Sequence, residues 1–212
     1  MLQDPFTAIA LGALLGLRHA TDADHVVAVT AIVARERSLG GAAGIGALWG
    51  IGHALTLLVV GGAIVAFRLV IPSRIGLGLE FGVALMLVGL GFTNLRARDD
   101  APRATVRPFL VGLVHGLAGS AAVSLLVLAT IRGTFEALVY LFVFGLGTII
   151  GMMTVTMLLA APALYAGARV TRFQSGIRLA AGALSIAFGL LLARELIVDG
   201  ALFSAVPTWD PH

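Results

Sequence analysis

The sequence contains no cysteine and no lysine. Without thiols there is no disulfide, no thiolate metal site and no thiol redox centre. Charge of either sign is scarce: 12% of the 212 residues are charged, and all fourteen basic residues are arginine. Three catalytic signatures are also missing: His-Glu-x-x-His, Gly-x-Ser-x-Gly and a Walker loop. Their absence argues against a hydrolase and against a nucleotide-driven pump, so the chain reads as a non-enzyme. The first residues, Met1 to Phe6, carry Asp4 and no basic cluster, so no cleaved signal peptide is expected and the first apolar segment should persist.

Apolar sequence fills the space. Hydrophobic residues make up 59% of the chain, and the mean hydropathy is +1.03. No soluble domain of this length hides so much apolar surface, so the expected class is an all-α integral membrane protein. Twenty-seven glycines suit that class, because small residues let membrane helices approach closely. The net charge of +3 then points to loops meeting lipid headgroups and not to nucleic acid.

A membrane span needs roughly 20 apolar residues. Six segments qualify, at about Phe6–Val33, Gly41–Phe67, Gly76–Leu95, Pro108–Ile131, Phe135–Tyr165 and Gly176–Leu196. The breaks carry arginine or proline, and Pro72, Pro102, Pro108, Pro162 and Pro207 fall at or near segment ends. One loop, Arg96–Arg107, is long and divides a single transmembrane domain of residues 1–212 into halves 1–100 and 101–212.

The halves look related. Gly16-Leu17-Arg18-His19 matches Gly112-Leu113-Val114-His115, and Gly50-Ile51-Gly52-His53 matches Gly145-Leu146-Gly147-Thr148. Gly82 and Gly89 match the spacing of Gly182 and Gly189, so the offsets are 96, 95 and 100 residues. A three-segment repeat crosses the membrane an odd number of times, which makes the second copy inverted, a plan common in transporters. Nine loop arginines fall on one side and four on the other. The positive-inside rule puts the nine in the cytoplasm and both termini outside, in a multi-pass protein of the inner membrane.

The candidate chemistry lies in His19-Ala20-Thr21-Asp22-Ala23-Asp24-His25, inside the first apolar segment. Two imidazoles and two carboxylates are expensive in hydrocarbon unless they face a cavity, a partner or a cation. A continuous helix places His19, Asp22 and His25 within an arc of roughly 120°, and Asp24 well away from it. Asp24 therefore reaches the same point only where the helix unwinds, as transporter helices do at ion sites. Nitrogen and oxygen donors together suit Ni²⁺, Co²⁺, Zn²⁺, Cu²⁺ or Mn²⁺. The competing reading is a hydrogen-bonded polar patch that only fixes helix packing. His53 and His115 also lie inside apolar spans and are further candidate ligands, or else packing histidines. Arg18 is expected to pair with Glu80 or Asp22. Met152, Met153 and Met157 are expected to pack, and Ser120 and Ser124 to line a path or bond back to their own helix.

The run Arg18-His19-Ala20-Thr21-Asp22-Ala23-Asp24-His25-Val26 resembles the signature helix of the nickel/cobalt transporter (NiCoT) family, R-H-A-x-D-A-D-H. Gly52-His53 is similar to that family's L-G-H element, with Ile51 in place of Leu. Val111–Ala122 and Phe144–Met152 resemble its shorter, six-helix UreH-like branch. The resemblance implies uptake of Ni²⁺, with Co²⁺ as competitor, through His19, Asp22, Asp24 and His25. The longer members' acidic motifs and the exporters' His-rich loop have no counterpart here. The expected function is thus a divalent transition-metal permease whose metal residues are His19, Asp22, Asp24, His25, His53 and His115. The metal is cargo and no cofactor is expected; the partners are Ni²⁺ or Co²⁺ and the lipid bilayer. The rivals are a nickel/cobalt exporter, an accessory protein delivering nickel to urease or hydrogenase maturation proteins, and, last, a membrane metalloenzyme. Homo-oligomerisation is left open.

Overall fold

The computed structural model describes residues 5–34, 36, 38–69, 71–96, 106–117, 128, 131, 133–167, 171–204 and 207–208. The described residues are helical in seven elements: α1 (Pro5–His19), α2 (Ala23–Val33), α3 (Leu39–Phe67), α4 (Ser73–Arg96), α5 (Arg107–Leu117), α6 (Thr134–Gly167) and α7 (Thr171–Val198). Four stretches are long and apolar enough to cross a membrane: Leu39–Phe67, Ser73–Arg96, Thr134–Pro162 and Ser175–Val198. They coincide with the second, third, fifth and sixth predicted segments. The first predicted segment is divided into α1 and α2. The fourth is described as α5 and little beyond it, so Ser120 and Ser124 lie outside the described residues, as do Pro102 and the body of the Arg96–Arg107 loop.

Local chemistry explains the boundaries. Ser38 caps α3, its hydroxyl accepting from Gly41 N–H at 2.9 Å. Arg68 closes that helix in the left-handed conformation, φ 52°. Pro108 occupies the first turn of α5, where no N–H is needed. Pro162 lies near the end of α6, which continues to Gly167.

The break between α1 and α2 is a change of hydrogen-bond pattern. Thr21 N–H bonds back to Arg18 O at 2.8 Å and Asp22 N–H to His19 O at 3.1 Å, both three-residue turns. Asp22 then turns extended (φ −60°, ψ 145°) as the residue before α2. The carbonyl end of α1 and the amide end of α2 thus meet at the acidic run, and the positive end of α2 favours the carboxylates there.

The dominant helix pairs are α3 with α6, α1 with α6, α3 with α5, and α4 with α7. Glycines permit these approaches, and their contacts come in matched sets. A Cβ on Gly16 (α1) would fall 2.9 Å from Thr148 N (α6), and one on Gly112 (α5) 3.0 Å from His53 N (α3). Gly147 faces Ala13 O, and Gly52 faces Phe109 O. Gly50 lies against Ile149, and Gly145 against Ala54. In the last pair, Gly91 faces Gly182 and Ile186, while Gly189 faces Ala84 and Val88. Gly82 and Gly89, which matched in sequence, have nothing near their Cβ positions; Gly91 makes the contact instead.

Polar side chains reinforce the helix pairs. Asn94 donates to Ala31 O at 2.5 Å, Ser185 to Leu87 O at 2.7 Å, and Thr56 to Leu113 O at 3.1 Å. The apolar core gathers Ala28, Val29, Trp49, Val83, Leu87 and Met152. Large apolar side chains also point outward all along the helices, including Leu14, Val59, Leu85, Ile150, Leu158 and Leu191. A surface so apolar is suited to lipid, in keeping with a helical membrane protein.

Candidate metal centre

Four helices and one break converge on a single buried locus. His19 ends α1, Asp22 sits in the break, and Asp24 and His25 open α2. His53 lies midway along α3, and His115 near the end of α5. His25, His53 and His115 are fully buried and His19 nearly so. The Asp24 side chain is 17% exposed and that of Asp22 37%.

His19 Nδ1 lies 2.7 Å from Asp22 Oδ2, and its Nε2 lies 3.0 Å from His53 Nε2. A proton on His19 Nδ1 facing the carboxylate would leave Nε2 of the neutral ring to accept from His53 Nε2. Asp24 lies 3.1 Å from His115 Nε2 through Oδ2, and 3.3 Å from His25 Nδ1 through Oδ1. The His25 ring packs at the middle, its centroid 4.5 Å from that of His19, 5.0 Å from His53 and 4.8 Å from His115.

Two triads have donor atoms within 4.8 Å of one another: His19, His25 and His53; and Asp24, His25 and His115. Trp49 and Phe144 wall the locus. The indole centroid is 5.5 Å from those of His25 and His115, and the Phe144 ring is 5.5 Å from His19. Several polar atoms here are buried without a hydrogen bond: both nitrogens of His25, Nδ1 of His53 and of His115, and Nε1 of Trp49. Such orphaned donors and acceptors are costly in a site that only fixes packing.

Five of the six sequence-derived candidates belong to the triads. Asp22 does not; it touches the centre through His19, the arrangement by which a carboxylate orients a ligating imidazole. The single-face reading of His19, Asp22 and His25 fails because the helix breaks between them, and the break turns Asp24 inward. Arg18 is exposed and makes neither expected ion pair, with Glu80 nor with Asp22. Thr148, Thr154 and Thr156 bond back to carbonyls of their own helix, and Met152 is core. Sequence reasoning missed the walls: Trp49 stands one helical turn before His53, and Phe144 one turn before Thr148.

The chain is 34% identical over 220 residues to the urease accessory protein UreH of Bacillus sp. (strain TB-90), an alignment covering 94% of this chain and 96% of the relative. No family model and no solved structure matches it.

Proposed function

The chain belongs to the family of the urease accessory protein UreH, and on that premise we propose that it is a six-span permease importing Ni²⁺, with Co²⁺ as competitor. The observation that carries the reading is the convergence of four buried histidines and Asp24 at a helix break, with ring nitrogens left unbonded. Asp24 offsets charge on the dication, and the imidazoles favour a transition metal over Mg²⁺, which prefers oxygen and keeps its water. An ion about 2.0–2.1 Å from both facing Nε2 atoms, which lie 3.0 Å apart, would see them at an angle of about 95°. That suits square-planar or octahedral coordination better than tetrahedral. Binding displaces the proton shared by His19 and His53, which gives a route for proton coupling.

In this reading α1 and α2 together form the first span, and α5 begins the fourth. The matched glycine contacts support an inverted repeat. A shift of 96 residues from first to fourth span, with 95 from second to fifth, carries the Gly16–Thr148 contact onto Gly112–His53 and Gly147–Ala13 onto Gly52–Phe109. For α4 and α7 the reciprocal contacts of Gly91 and Gly189 give 98 in place of 100. Alternating access then moves one three-span half against the other. The arginine asymmetry orients the termini outward in the inner membrane. Uptake is preferred to export because no His-rich loop is present.

The relative's name favours a second reading, delivery of nickel to urease maturation without transport. Purified protein in liposomes separates the two. Under the permease reading, Ni²⁺ enters vesicles holding only this chain, and Asp24→Ala abolishes entry. No entry with wild-type protein, despite Ni²⁺ binding, leaves the delivery role.

A further inference from the structure

The five converging groups do not form one cluster. They fall into two triads that share only His25. One triad is made wholly of imidazoles, His19 and His53 with His25; the other holds the sole carboxylate, Asp24, with His115 and His25. His25 is fully buried, and neither ring nitrogen makes a hydrogen bond. Its Nδ1 faces the Asp24 carboxylate. The ring also lies against the His19–His53 pair, with its centroid 4.5 Å and 5.0 Å from theirs.

We propose that the centre is two overlapping cation stations that pivot on His25, through which one divalent ion passes in sequence. The proposal rests on the permease reading and adds an internal step to it. The neutral station is His19–His53–His25, and the anionic station is Asp24–His115–His25. One imidazole ring borders both stations, and a neutral ring offers a single lone pair at a time, so the ion engages His25 in one station or the other and a second dication finds no free nitrogen there. The arrangement also matches the relation between the halves. His19 and His115 occupy corresponding places in the first and fourth spans, 96 residues apart, and each anchors one station. The neutral station lies wholly within the first half, whereas the anionic station joins the two halves through His115, so a movement between the halves opens or closes the anionic station and leaves the neutral one intact.

The probe is Co²⁺, whose visible absorption reports its ligands, added to purified protein in nanodiscs, with uptake measured in parallel in liposomes. Wild type is expected to bind one Co²⁺ per chain. His53→Gln and His115→Gln are each expected to keep one Co²⁺ within about tenfold of wild-type affinity, because each spares one station. Their spectra should differ from one another, and uptake should fall at least tenfold in both. The His53→Gln/His115→Gln double variant and His25→Gln should lose binding by at least a hundredfold while keeping their melting temperature. If His53→Gln does not fold, His19→Gln perturbs the same station. Loss of binding in both single variants, as severe as in His25→Gln, means one indivisible site and overturns the two stations while leaving the permease intact. A wild-type protein that neither binds nor carries Co²⁺ or Ni²⁺ instead removes the permease reading, and the stations fall with it.

Discussion

The helices α1 and α5 sit against their neighbours in the same way, yet only α1 leads into a run of carboxylates. Gly16 brings α1 onto α6 beside Thr148, and Gly112 brings α5 onto α3 beside His53. After the first contact follow His19, Asp22, Asp24 and His25; the second has His115 on α5 and His53 across it on α3, with no carboxylate of its own. Where α3 has His53, the corresponding place in α6 has Thr148, its hydroxyl satisfied by Phe144 O at 2.9 Å. Backbone packing depends on glycine spacing and tolerates any side chain that points elsewhere. Cation chemistry depends on which of those other side chains are ionisable, and only the first half supplies carboxylates. A shared scaffold thus holds a lopsided centre.

The comparison breaks most sharply at its charged side. Asp24→Ala and His25→Ala are expected to reduce the initial rate of Ni²⁺ uptake at least a hundredfold, measured in liposomes against wild type. Asp22→Asn, which disturbs only the orientation of His19, leaves the anionic station whole and should weaken Ni²⁺ binding measurably but by less than about tenfold in calorimetry, while slowing uptake by about 10–100-fold. A wild-type affinity in that variant would mean Asp22 does not orient the ring. Acidification acts on both stations at once. The imidazoles bind metal only when neutral, so protonation opposes binding, and affinity should fall as pH is lowered. The check is a titration series showing proton release that matches the slope.

Smaller effects test the shared scaffold. Gly112→Val places methyl groups where α5 meets the α3 backbone and should destabilise by about 1–3 kcal/mol, seen as a lower melting temperature. Gly82→Ala, with open space beside it, should leave the melting temperature unchanged or slightly higher. The smallest effect expected is that of Thr148→Val. It removes a hydroxyl that bonds only within its own helix, so uptake should change less than about twofold. A large loss there would give the second half a chemical share that His115 alone does not.

Much of this was legible because hydrophobic run length and arginine placement report directly on lipid. The four long spans fall within a few residues of their sequence-derived bounds. Pro162 falls near the end of its segment as expected, at the last residue of the apolar span Thr134–Pro162. Glycines recur by composition, and Gly82 and Gly89 make no close helix contact, whereas Gly91 does. Arg18 was expected to be paired because a charge in an apolar run costs energy when enclosed, yet this side chain lies at the exposed surface.

The residues themselves determined the class of protein, the apolar segments and the chemical kind of the centre. Imidazole and carboxylate in hydrocarbon need a partner whatever the fold. The tertiary structure decided how those groups are divided. It broke the first helix after His19, turned Asp24 inward, set Asp22 behind His19 and made His25 common to two triads. Helical spacing raised the unwinding at Asp24 but could not divide the donors, because distances between donors on four separate helices depend on how closely glycine lets those helices approach.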